Sequence, residues 1–109
     1  MSDRLPSGLE ASALCRQVES IGGFAQILSK GDADRGVLVL LIAHRGEVIA
    51  RLERQMAADF SYRWTRFDPP DRDLRSFIDD RSRIDPDFWL IELDVPDAER
   101  FIAETMSSG

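Results

Sequence analysis

Cysteine, histidine and lysine each occur once, as Cys15, His44 and Lys30. A single thiol cannot close an internal disulfide, so nothing points to an oxidising compartment. Cys15 falls on an apolar helical stripe and His44 in a turn between strands, which suits a buried structural thiol better than a thiol–imidazole nucleophile. The sequence contains no G-x-S-x-G elbow, Walker loop or G-x-G-x-x-G, and no Cys/His cluster with zinc spacing. Neither a cofactor nor a metal is therefore expected. Long apolar runs are missing as well. The longest, Val37 to Ala43, is seven residues, against about 20 for a membrane-spanning helix. The opening "MSDRLPSGLEASAL" lacks a basic flank followed by a long apolar stretch, so no signal peptide is expected.

What is present describes an acidic cytoplasmic domain. The net charge is −6 and the pI about 4.7. That balance disfavours nucleic acid and anionic membranes, which are both polyanions. Hydrophobic residues make up 43% and charged residues 31% of the 109 residues, an ordinary globular mixture. Residues 1–109 read as a single domain, and a chain of this size hides roughly 65% of the surface its unfolded form exposes.

Periodicity predicts the elements. Ala11, Leu14, Cys15, Val18 and Ile21 form one helical stripe, with Ser7 as N-cap and Glu10 completing a capping box. "FAQILSK" at 24–30 reads as a strand and "GDADRG" at 31–36 as a hairpin loop. "VLVLLIA" at 37–43 is apolar on both faces and should be a central strand. After a turn at "HRGE", residues 47–54 alternate, with Val48, Ala50 and Leu52 on one face and Ile49, Arg51 and Glu53 on the other. "YRWTRF" at 62–67 suits a short edge strand blunted by arginines. A helix follows from about Pro70 to Ile84, with Leu74, Phe77, Ile78, Arg81 and Ile84 on its stripe. "DFWLIELD" is the last strand, and a helix starting at Asp94-Val95-Pro96 closes the chain. The expected fold is α+β: an antiparallel meander of four to five strands with helices packed on it, in the order α-β-β-β-(β)-α-β-α.

Several of these segments match a pattern together. Arg4, the Ser7-Gly8-Leu9 helix start, Arg16, Gly31-Asp32, Gly36, Asp85-Pro86-Asp87, Trp89 and Glu92 span residues 4 to 94. In these positions the chain resembles a bacterial family known as domain of unknown function 1491. Glu10 departs from it, standing where the family pattern has an aromatic. The resemblance implies a fold and a bacterial protein, and it implies no activity.

The residues themselves leave a polar cluster and an apolar surface to consider. Arg16, Arg81, Arg83, Asp85, Asp87, Trp89 and Glu92 are the candidate polar group, functional or structural. Asp85, Asp87 and Glu92 offer hard oxygen ligands for Mg²⁺ or Ca²⁺, yet Asp followed by Pro is also the favoured start of a type I turn. Trp89, in phase with Ile91 and Leu93, reads as core. Arg81 lies inside an apolar stripe, so either its stem covers the core with the head in water, or its fork pairs with Asp85 or Glu92. The element order is also that of restriction-endonuclease-like nucleases, whose chemistry needs an acid-x-Lys. Here Glu47 is followed at that place by Ile49, and Glu53 by Gln55, so nuclease activity is not expected. The first reading is a non-catalytic protein-binding or assembly module. It would work through Leu9, Ala13, Phe101, Ile102 and Met106, with a homodimer or another protein as partner. The alternative is a metal-dependent enzyme or ligand binder built on the three carboxylates.

Overall fold

The computed structural model describes residues 5–106; Arg4 lies outside the described residues. Its elements are α1 (Ser7–Ser20), β1 (Phe24–Ser29), β2 (Leu38–His44), β3 (Glu47–Met56), β4 (Tyr62–Phe67), α2 (Leu74–Ile84), β5 (Trp89–Asp94) and α3 (Ala98–Thr105). The fold is α+β and the element order is the expected one. The sheet, however, is mixed, with strand order β1-β5-β2-β3-β4. β5 inserts between β1 and β2, antiparallel to the first and parallel to the second.

The reason lies in burial. β2 and β5 are the strands buried on both faces, and a strand of that kind is most stable with neighbours on both edges. β1 is largely exposed and takes an outer edge. "GDADRG" is therefore no hairpin turn. It carries the chain from the β1 edge past the start of β5.

One face of the sheet is covered by α1 and α3. Ala11, Leu14 and Val18 of α1, and Ala98, Ile102 and Met106 beside α3, pack on Leu40, Leu52, Ile91 and Leu93. The other face is covered by α2, whose Leu74, Phe77 and Ile78 lie against Val39, Leu41, Phe88 and Leu90. No described helix is long and apolar enough to cross a membrane.

Local expectations change in four places. Ser7 does not cap α1; Pro6 is the N-cap, and the buried Ser7 hydroxyl donates to the Gly36 carbonyl at 2.6 Å. Val48 joins the α2 face rather than that of Ala50 and Leu52. The ladder pairs Ile42 with Ala50 and Ala43 with Val48, so Ile49 is an extra bulged residue that flips the alternation. α2 begins four residues later than Pro70, at Leu74, because the Asp73 carboxylate accepts the Ser76 N–H at 2.8 Å and sets the N-cap there. Its last residue, Ile84, is 83% exposed and not on the buried stripe. Finally, Asp94 ends β5 and accepts the Arg45 N–H at 3.1 Å, leaving Asp97 to cap α3.

Candidate functional site

Asp85-Pro86-Asp87 joins α2 to β5. Asp85 closes the helix, and its carbonyl accepts the Phe88 N–H at 3.3 Å. That is the turn an Asp-Pro pair favours. Asp87 is exposed, and its carbonyl accepts the Asp32 N–H at 3.0 Å. Glu92 sits within β5, beside Gln26 and Leu41 on the flanking strands. Among the described residues, no group of three or more His, Cys, Asp and Glu side chains is placed to hold a metal ion. The joint is instead a docking point for the 31–36 loop. The Trp89 indole N–H donates to the Asp32 carbonyl at 2.8 Å, and Trp89 itself is 3% exposed. The Gly8 N–H of α1 reaches the Ala33 carbonyl at 2.7 Å. One loop thus ties α1, β5 and the α2 end together.

The arginines separate. Arg81 is half-buried, and its fork grips Glu53 on β3 through two bonds of 3.0 and 3.1 Å. The Asp85 carboxylate is 3.9 Å away, and Glu92 is not its partner. Arg51 shares the same Glu53 carboxylate and lies over the Phe67 ring, 4.6 Å from its centroid. Two guanidiniums on one carboxylate clamp α2 against the β3–β4 half of the sheet. Arg83 is exposed and pairs with Asp80 at 3.0 Å, while Arg16 lies exposed on α1.

A second pair, unnoticed in the sequence, lies on the opposite face. Arg54, with its side chain 5% exposed, meets Glu10 of α1 at 2.8 Å and stacks on Trp64 at 4.7 Å. The alternation held a signal for it. Arg54 is in phase with Ala50 and Leu52, both core residues, so its charge has to find a partner under the helices.

Three carboxyls are held below their ordinary range by donors. Asp32 is lowered by the backbone N–H groups of Asp34 and Arg35. Asp59 is lowered by the Ser61 hydroxyl and N–H, and Asp73 by the Ser76 N–H. A carboxyl whose folded pKa is depressed favours the fold above its unfolded pKa. That contribution fades as pH falls through the folded value. Thermal stability should therefore decline below about pH 4, with a shallower acid slope in Asp32→Asn and Asp73→Asn. An unchanged slope in melts collected across pH 2–6 would contradict these assignments. Cys15 moves the other way: burial, and then the nearby Glu19, push its thiol up, which keeps it protonated and poorly nucleophilic.

The apolar candidates also divide. Leu9 is 59% exposed, whereas Ile102 is fully buried and Met106 is 8% exposed. Ile102 and Met106 are therefore corrected to core, because α3 uses its stripe to roof the sheet. Phe101 is half-buried against the same cluster, and Ala13 is half-buried on α1. Leu9 with Ser12, Ile27, Lys30, Ala33 and Asp34 borders an open groove of about 880 Å³ between α1 and β1.

A family model described as "Protein of unknown function (DUF1491)" matches residues 5–103. The chain belongs to the DUF1491 family. A crystal structure of a DUF1491 family protein from Caulobacter crescentus CB15 is 28% identical, with a TM-score of 0.71 over 90% of this chain and 94% of that one. An NMR structure of a DUF1491 family protein from the same organism, also 28% identical, has a TM-score of 0.67 over 89% and 91%. Protein Atu0922 from A. tumefaciens is 23% identical with a TM-score of 0.61 over 86% and 88%, which supports the shared fold alone. No curated protein matches the chain. DUF1491 membership thus accounts for the architecture and assigns no chemistry.

Proposed function

We propose that this DUF1491 protein is a non-catalytic protein-binding or assembly module that works through the α1–β1 flank. The observation that carries the reading is the pairing of an open groove, lined mostly by apolar side chains with Lys30 and Asp34 at its border, with a sheet edge whose own residues are uncharged. Leu9 and Ile27 are 59% and 39% exposed along the groove. Residues Phe24 to Ser29 of β1 carry no charge, in a chain of net charge −6. The opposite edge, β4, carries Arg63 and Arg66, the usual protection of a free strand. An edge strand with no charge of its own from Phe24 to Ser29, beside exposed apolar side chains, suits association with another chain, either a second copy or another protein. Two members of the polar group have scaffold roles that fit this reading: Arg81 holds helix to sheet and Asp85 turns the chain.

Leu9→Asp with Ile27→Asp tests it. The wild-type chain should either exceed its 12.3 kDa monomer mass in light scattering at high concentration, or retain proteins from its own cell extract. The double variant should lose both while keeping its fold. A strictly monomeric wild type whose captured proteins are unaffected by the two aspartates overturns the proposal.

A further inference from the structure

β1 is an outer strand whose one strand neighbour is β5. About half of its backbone N–H and C=O groups therefore point away from the sheet. A row of such groups is satisfied by another extended backbone, so the edge itself specifies a strand as its occupant. Which strand follows from the side chains. The ladder sets Ala25 beside Leu93 and Ile27 beside Ile91, and both partners belong to the core under α1 and α3. Phe24 and Gln26 alternate to the other face. The register shift after Ile27 returns Leu28 to that second face, where it packs on the α2 core. The strand is thus apolar at 25 and 27 on the α1 face and at 24 and 28 on the α2 face. Gln26 stands midway, and the pattern reads the same in both directions from it.

We propose that β1 pairs antiparallel with β1 of a second copy of this chain, about a two-fold axis at Gln26, and joins two five-stranded sheets into one. An axis normal to the sheet keeps each face continuous, so facing residues must share a face. Centring on Gln26 sets Phe24 opposite Leu28 of the second copy on the α2 face, and Ala25 opposite Ile27 on the α1 face. Both are apolar matches, and each occurs twice. Centring on Ile27 would face Phe24 with Lys30 instead. The charges at the strand ends select the same direction. Lys30, the sole lysine, follows β1, whereas the other end adjoins Glu19, whose carbonyl accepts the Gly22 N–H at 3.0 Å, and Asp94, paired with Phe24. Antiparallel pairing brings each Lys30 to the acidic end of the other copy; parallel pairing would bring the two lysines together. β4 is the poorer mate for β1, because Arg63 and Arg66 line that edge and a β1–β4 contact would leave a free edge at each end rather than close. A strand added beside β1 also closes the open side of the groove that Leu9 and Ile27 border. The inference rests on reading the α1–β1 flank as an association surface, and narrows its partner to the chain itself.

The test introduces one cysteine at a time into the full chain carrying Cys15→Ser. Facing Cα atoms in an antiparallel pair lie about 4.5–5.5 Å apart, inside the disulfide range of about 4.4–6.8 Å. Gln26 is exposed, and Gln26→Cys should convert most of the chain to a covalent dimer under mild oxidation. Ser29→Cys should stay monomeric at the same concentration, because its counterpart in the second copy lies roughly 20 Å away. Gln26→Lys places two like charges on the axis. It should raise the dimer dissociation constant several-fold in light scattering while its melting temperature, read at a concentration where wild type is monomeric, stays within a few degrees of wild type. The inference is overturned if Gln26→Cys remains monomeric, or if Ser29→Cys cross-links as well, which would reduce the adduct to chance collision. A Gln26→Cys chain that fails to cross-link yet still retains proteins from its cell extract, and loses them with Leu9→Asp and Ile27→Asp, removes the self-pairing and leaves the association surface standing. A monomer that retains nothing removes both.

Discussion

Gly36→Ala should unfold much of what the 31–36 loop holds together, at a loss of about 3 kcal/mol in urea denaturation, the upper end for overpacking. A Cβ at position 36 would collide with the Asp87 carbonyl oxygen and lie 2.8 Å from Cδ1 of Trp89. Neither atom belongs to a flexible side-chain end. The Asp87 carbonyl is committed to the Asp32 N–H, and the Trp89 ring is locked by its bond to the Asp32 carbonyl. The added methyl therefore has to push the loop away, which also strains the Ser7–Gly36 bond that seats α1. Gly31→Ala should behave alike, since its Cβ would meet the same Asp87 carbonyl. Gly8→Ala is the contrasting case. Its Cβ would sit 3.4 to 3.6 Å from Ala33, in ordinary contact, and alanine in a helical turn gains about 0.5–1 kcal/mol over glycine. Glycines on the two sides of one docking contact should thus give opposite signs. A Gly36→Ala chain as stable as wild type would mean that the loop does not carry the joint.

The same joint marks where sequence patterns stop being sufficient. Periodicity reports which face of an element is apolar, and it located all eight elements. It does not report which strands are neighbours. β5 could be placed next to β2 only by noticing that "VLVLLIA" and "DFWLIEL" are the two strands without a polar face and so both need covered edges. A helical stripe has a similar limit. Ile21 and Ile102 both sit on apolar stripes, yet one is 56% exposed and the other fully buried, because a stripe says that something must cover it without saying what. Arg81 was legible as a residue in need of a partner. That the partner is Glu53 on β3 rather than Glu92 on β5 depends on how α2 crosses the sheet. Ile49 illustrates a local limit: a single bulged residue reversed the face of Val48, and bulges leave little trace in composition.

Glu10→Ala should cost about 3–5 kcal/mol, because it strands the Arg54 guanidinium among Leu52, Trp64 and α1. Arg54 has 5% of its side chain exposed and pairs with Glu10 at 2.8 Å. Its Nε and Nη1 groups are buried without a hydrogen-bond acceptor among the described residues, so the guanidinium is imperfectly satisfied even in the native fold. Removing both charges together should behave differently from removing one. Glu10→Leu with Arg54→Met fills the same space with apolar groups and should be neutral or stabilising in urea denaturation, as buried pairs of this kind often are. The cycle formed by the two single variants and the double should show strong coupling. Near-additive losses would place Arg54 in effective contact with solvent. If the apolar double is indeed as stable as wild type, the pair has another role, and its position suggests which. Glu10 adjoins Leu9 on α1, and Arg54 holds that turn against β3, fixing how Leu9 faces the groove beside β1. The double variant would then keep its unfolding free energy while altering association through the α1–β1 flank, a combination that light scattering and urea denaturation on the same samples would separate from a simple loss of fold.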